Sequence, residues 1–167
     1  MTALSTVDLG DVSDAALDAL ASLTVSAQQD IHGGSFTESL EAWHKGPRDC
    51  VLGLAILHAE TPVGLCLFKR PPASPDWART ASATCHGLKI ATPWQGRGWG
   101  HAAFALCVRH MGRVWPDVDR LMLAVDADNH AALKVYRGFG MTEPGPIEQG
   151  RVGPEHRLEI RMSDIAL

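Results

Sequence analysis

The sequence predicts an α/β domain on a mixed sheet, antiparallel at its start and crossing over through a helix later. Three observations carry that prediction. Two apolar runs, 50–58 and 63–68, flank Glu60-Thr61-Pro62 and read as a strand hairpin. A strand candidate at Thr84–Ile90 leads through a glycine-rich stretch into an apolar-faced helix from Gly98 to about Gly112. Strand, helix and strand then follow at 121–125, 129–137 and 157–162.

Each element has its own justification. Residues 13–24 set Ala16, Leu17, Leu20 and Leu23 at helical spacing behind Ser13, a ready N-cap. Ser35 and Glu38 form a capping-box pair ahead of Leu40 and Trp43, opening a second helix, and His32-Gly33-Gly34 before it reads as loop. Glu60-Thr61-Pro62 should interrupt the hairpin, and Pro71, Pro72 and Pro75 end regular structure beyond it. The strand at Thr84–Ile90 stops at Thr92-Pro93. In the helix that follows, Ala102, Ala103, Leu106, Cys107, His110 and Met111 share one side. Leu121–Val125 reads as a buried strand and Asn129–Arg137 as a helix. Leu158, Ile160 and Met162 alternate in the closing strand, Arg157–Met162.

The 167 residues fit one domain, 1–167, and no repeat or low-complexity linker divides them. A formal charge of −4 argues against a general nucleic-acid binder, which needs a cationic surface. It leaves room for a single phosphate-bearing ligand held by local donors. Cys50, Cys66, Cys85 and Cys107 are widely spaced, read as buried small hydrophobes, and lack the close pairs of a zinc site, so no metal is expected. The acidic start, with Asp8, Asp11 and Asp14, is unlike a signal peptide. No apolar run approaches the roughly 18 residues of a membrane span. The expectation is a cytoplasmic protein with no membrane partner.

Gln95-Gly96-Arg97-Gly98-Trp99-Gly100 lies between the strand and the helix. The first N–H groups of a helix have no intrahelical partner, and the helix dipole adds positive charge there, so this arrangement suits phosphate. Glycine at 96, 98 and 100 would permit positive φ and close approach, and Arg97 offers a charge-assisted contact. A dinucleotide fingerprint fails at His101, where glycine is required, and the Gly-Lys-Ser/Thr of a Walker loop is absent. From these residues alone, a flexible turn capping a helix stands beside the phosphate reading.

A second segment follows about thirty residues later: Asn129-His130-Ala131-Ala132-Leu133-Lys134-Val135-Tyr136-Arg137-Gly138-Phe139-Gly140-Met141. Together the two resemble the GNAT superfamily of acetyl-CoA-dependent N-acetyltransferases. That family's cofactor loop, Gln/Arg-x-x-Gly-x-Gly/Ala, is matched by Gln95, Gly98 and Gly100. Its next motif, Asn-x-x-Ala-x-x-aliphatic-Tyr-x-x-x-Gly, is matched by Asn129, Ala132, Val135, Tyr136 and Gly140. The match covers about residues 84–141. The resemblance implies a GNAT-type fold, α/β with a central mixed sheet of six or seven strands flanked by about four helices.

It also implies a site. Backbone groups of Leu88, Lys89 and Ile90 would bind the pantetheine arm of acetyl-CoA like an added strand. The loop from Gln95 through Gly96, Arg97, Gly98, Trp99 and Gly100 to His101 would hold the pyrophosphate. Asn129 and Ala132 would meet the cofactor from the second helix. Tyr136 matches the usual general acid, which protonates the departing thiolate; the other reading is that its ring only packs there. The strand glutamate that many members use as base is replaced by Thr84, and another family position by Ala124. His86 shares a strand face with Thr84, Leu88 and Ile90 and either relays the proton or only hydrogen-bonds within the sheet.

The remaining features read two ways. Trp94 and Trp99 flank the loop and either could cover the cofactor, though Trp99 fills an aliphatic motif position and suits core packing. Asp126 and Asp128 could hold a cationic acceptor or simply favour a helix N-terminus. The acceptor, a small-molecule or protein amine, should lie between the His32–Trp43 segment and the Pro144–Pro154 loop. Glu38, Glu41, Glu143, Glu148 and Glu155 are scattered there. Transfer is expected to be direct, within a ternary complex, since no nucleophile–base pair is evident. The competing expectation is a non-catalytic acyl-CoA-binding regulatory module. Family members often form homodimers, but no segment here marks an interface.

Overall fold

A computed structural model describes residues 3–166. It contains a seven-stranded sheet in the order β1-β2-β3-β4-β5-β7-β6, with β1 Leu4–Asp8, β2 Val51–His58, β3 Thr61–Lys69, β4 Ser82–Ile90, β5 Arg120–Asp126, β6 Glu148–Gln149 and β7 Pro154–Arg161. All neighbours are antiparallel except β4 and β5, which the helix α4 (Trp99–Val114) joins in parallel. The other helices are α1 Asp14–Ala21, α2 Ala27–Gly33, α3 Phe36–Lys45 and α5 His130–Gly138. This is the mixed GNAT-type sheet that the sequence predicts.

Alternation along the central strands sorts the core into two layers. Leu52, Leu54 and Ile56 of β2 join Phe104, Cys107 and Met111 of α4 and Leu133 and Tyr136 of α5. Val51 and Ala55 turn the other way, toward Leu20 of α1 and Phe36 and Trp43 of α3. A strand covered on both faces must be apolar throughout, which is why 50–58 shows no polar alternation. All four cysteines are buried and free.

Ser13 accepts a hydrogen bond from the Ala16 N–H and caps α1, and Ser35 with Glu38 completes the capping box of α3. Several expectations need correction. The hairpin turn is Ala59-Glu60, both at positive φ as a tight two-residue turn requires, so Thr61 and Pro62 open β3 instead of interrupting it. His32 and Gly33 end α2 and are not loop. That helix has no apolar stripe, and Ile31 is exposed; what holds it is a capping box between Ser26 and Gln29. The short β1 and the two-residue β6 also lacked a sequence signal. No helix among the described residues is long and apolar enough to cross a membrane.

Candidate active site

The site begins where two parallel strands part. β4 pairs with β5 only from Ser82 to Thr84, opposite Arg120 to Met122. Beyond that, β4 stays with β3 and β5 stays with β7, so a wedge opens between them. A bulge in β4 assists: Leu65 and Leu67 of β3 face Lys89 and His86, so β4 carries one extra residue over that span. Gly87 takes it up at φ +61, a conformation a side chain would resist.

A cleft of about 380 Å³ fills the wedge. Cys85, His86, Gly87 and Leu88 form one wall, and Ala124, Val125 and Asp126 the other. Asn129, Ala132 and Tyr136 of the α5 segment form its base. Unpaired strand edge on the β4 side is the surface an extended ligand can join by backbone hydrogen bonds.

Tyr136 is buried, its ring edge-on to Phe104 at 5.0 Å. Burial pushes its phenol well above the usual value, so the hydroxyl keeps its proton at neutral pH. The Asn129 side chain caps α5 by accepting from the Ala132 N–H at 3.3 Å. His86 lines the wedge with Nε2 2.8 Å from the Thr84 hydroxyl. Burial, with a smaller contribution from Lys69, lowers its pKa from 6.5 to about 4.

The glycine loop lies at the N-terminus of α4. Gly98 is the N-cap at φ +72, no side chain caps the helix, and its first turn carries no acid. Gly96 has φ +73, and a Cβ at either glycine would meet nothing within 4 Å. Open space over uncapped N–H groups is what a pyrophosphate needs. Gly100 has a packing reason as well: it is helical, and a Cβ there would come within 3.1 Å of Val135, so it lets α4 and α5 pack closely. Gln95 turns inward, donating to the Ile90 carbonyl at 2.6 Å and exchanging hydrogen bonds with Gln29 of α2. Trp94 and Trp99 stack on one another, and Arg97 lies over both rings at 5.3 Å. His101 is exposed and rests against Phe139.

Two features went unread in the sequence. The Lys89 ammonium is buried and donates to the carbonyls of Gly33, Gly34 and Ser35 and to the Ser39 hydroxyl, all at 2.7–3.0 Å. Burial lowers its pKa from 10.5 to about 8. It fixes the α2–α3 turn over β4. In addition, His32 of α2 reaches across the mouth of the cleft to Asp126, Nδ1 to Oδ2 at 2.7 Å. The expected acceptor segments do meet at the cleft, through His32, Gly33 and Gly34 on one side and Arg151 and Val152 on the other. Of the five scattered acids only Glu155 lines it; Glu38 caps α3, Glu41 pairs with Lys45, and Glu143 contacts Arg137 and His156.

Comparison with known proteins places this geometry. Residues 17–141 match the model of the acetyltransferase (GNAT) family. No curated protein matches the sequence significantly. Among solved structures, spermidine N-acetyltransferase from Vibrio cholerae, in complex with CoA and spermine, is similar at TM-score 0.72 and 19% identity, with 96% of each chain covered. Aminoglycoside acetyltransferase AAC(6')-Ib in complex with coenzyme A is similar at TM-score 0.74 and 15% identity, again over 96% of each chain. The GNAT domain of S. lividans PAT follows at 0.69 and 18%, covering 94% of this chain and 89% of that one. The chain belongs to the GNAT family of acetyltransferases, whose acyl donor is acetyl-CoA.

Proposed function

We propose that the protein transfers the acetyl group of acetyl-CoA directly to a small-molecule amine bound beside it in the cleft. The observation that carries this is the parting of β4 and β5 after Thr84 and Met122, with the Tyr136 ring in the opening. The edge of β4 left open beyond Thr84, which includes Leu88, suits the pantetheine arm, and the uncapped N-terminus of α4 suits the pyrophosphate. Arg97 lies on the Trp94–Trp99 platform beside that N-terminus, as a cation for phosphate. Bound there, acetyl-CoA supplies an activated thioester.

This chain's residues then manage charge and protons. A backbone N–H of the β4 edge polarises the carbonyl. Tyr136 keeps its proton at neutral pH and is the proton donor to the departing thiolate. His86 we assign to positioning: a group with a pKa of about 4 takes a proton poorly from an ammonium of about 10.4. A small-molecule acceptor is supported by the fold neighbour in complex with CoA and spermine; Asp126 and Glu155, paired with His32 and Arg157, bring acidic charge to the cleft.

Thiol release from acetyl-CoA across a panel of amines tests the reading. Acceptor-dependent release is expected. Micromolar CoA binding with no release for any amine would instead make the protein an acyl-CoA-binding regulatory module.

A further inference from the structure

The geometry points to His32 as the general base of the transfer, oriented by Asp126 and discharging its proton past Asp128. This rests on the acetyl-transfer reading and supplies the proton acceptor that neither Thr84 nor His86 provides.

His32 closes the α2 end of the cleft, and its side chain is 7% exposed. Its Nδ1 lies 2.7 Å from the Asp126 carboxylate, which is itself only 14% exposed. An ionised carboxylate only accepts, so Nδ1 carries the hydrogen and Nε2 of the neutral ring carries the lone pair. That Nε2 is buried and has no hydrogen-bond partner. Buried polar nitrogens are seldom left so, and one lining a ligand cleft calls for a donor from the ligand. A substrate ammonium is such a donor.

Carboxylates face both nitrogens of the ring. Asp126 faces Nδ1, and Asp128 Oδ1 lies 3.7 Å from Nε2, so an imidazolium would sit between two carboxylates. Asp128 is 73% exposed, so its carboxylate reaches solvent. From β7, Glu155 lines the same cleft, paired with Arg157 at 3.5 Å. The cations nearby are turned to the backbone of α2 and its exit. Arg151 donates to the Ile31 carbonyl at 2.8 Å, and Lys89 to those of residues 33–35. Those contacts hold His32 in place from both sides.

The step balances as follows. The ammonium N–H bond breaks and its proton goes to Nε2 of His32; the freed lone pair forms the N–C bond to the acetyl carbon. The C–S bond breaks, and sulfur takes the Tyr136 proton. A second proton leaves the new amide nitrogen and restores Tyr136 through solvent, while His32 releases its own past Asp128. One proton is released per turnover.

The test combines kinetics with nitrogen-15 NMR of the histidine rings. His32→Gln should lower kcat/KM roughly 100-fold and remove the acidic limb of its pH profile, leaving CoA affinity unchanged, and added imidazole should restore part of the rate. Asp126→Asn should move that limb, because the ring loses its orienting carboxylate. In the wild type with CoA bound, the His32 signals should show a protonated Nδ1 and a bare Nε2 at about pH 7.5. A protonated Nε2 there overturns the assignment even if no variant folds. An unchanged acidic limb in His32→Gln with active wild type removes His32 alone. Wild type that releases no thiol with any amine removes the transfer reading and the base with it.

Discussion

His86 offers a quantitative check on how burial shapes this site. Its ring is held neutral in the wedge, with a pKa near 4 against 6.5 for an exposed histidine. The sign follows from linkage: between those values the unfolded chain binds the proton and the folded chain does not, so stability is lost as pH falls from 6.5 to 4. The full loss is about 3 kcal/mol, of which about 2 kcal/mol falls between pH 7.5 and about pH 5. His86→Asn keeps a polar partner for the Thr84 hydroxyl and cannot titrate. Urea unfolding of both proteins at those two pH values isolates the ring, because every other titrating group is common to them. The variant should lose about 2 kcal/mol less than wild type on acidification. Equal losses would show that His86 is not held neutral, and would return it as a candidate base. A ring neutral down to about pH 4 cannot produce an acidic limb near neutrality, so this result bears directly on His32.

Other perturbations separate the remaining roles. Tyr136→Phe should lower kcat at least about tenfold with CoA affinity nearly unchanged, measured by thiol release and calorimetry; undiminished turnover would reduce Tyr136 to packing. Gly98→Ala places a side chain at φ +72, costing about 1 kcal/mol in chemical denaturation. Its Cβ meets no protein atom but stands where the pyrophosphate should lie, so CoA affinity should fall by more than that strain accounts for. Lys89→Met leaves three carbonyls and the Ser39 hydroxyl without the ammonium, and should cost about 2–4 kcal/mol. Amide exchange at residues 33–36 should quicken in the same variant; unchanged exchange would deny Lys89 its hold on the turn.

The proposed donor half of the site is legible in the sequence because its signals are local. A helix start marked by Gly96 and Gly98 is a statement about φ and bare N–H groups, and both are fixed within a few residues. Asn129 and Tyr136 lie on one short helix, so their spacing already places them on the cleft side. Even there spacing leaves one requirement unread. Gly100 is small for the sake of Val135, a contact across 35 positions that no window around the loop contains.

The acceptor half has no local code. His32 and Asp126 stand 94 positions apart, and α2 shows none of the apolar periodicity that reveals a helix, since both cores lie elsewhere. Only its capping box, Ser26 with Gln29, was readable. What brings it over the wedge is Lys89, a cation on a strand otherwise read for its backbone. Its main chain is paired with β3, and its ammonium grips the turn that carries His32. Any shift of β4 should therefore carry the α2–α3 turn with it. That coupling gives the bulge at Gly87 a second consequence. A Cβ there would come within 3.1 Å of the Ser39 hydroxyl, one of the four ligands of Lys89, so the residue that lets the strands part also keeps clear the ground on which the acceptor side is anchored.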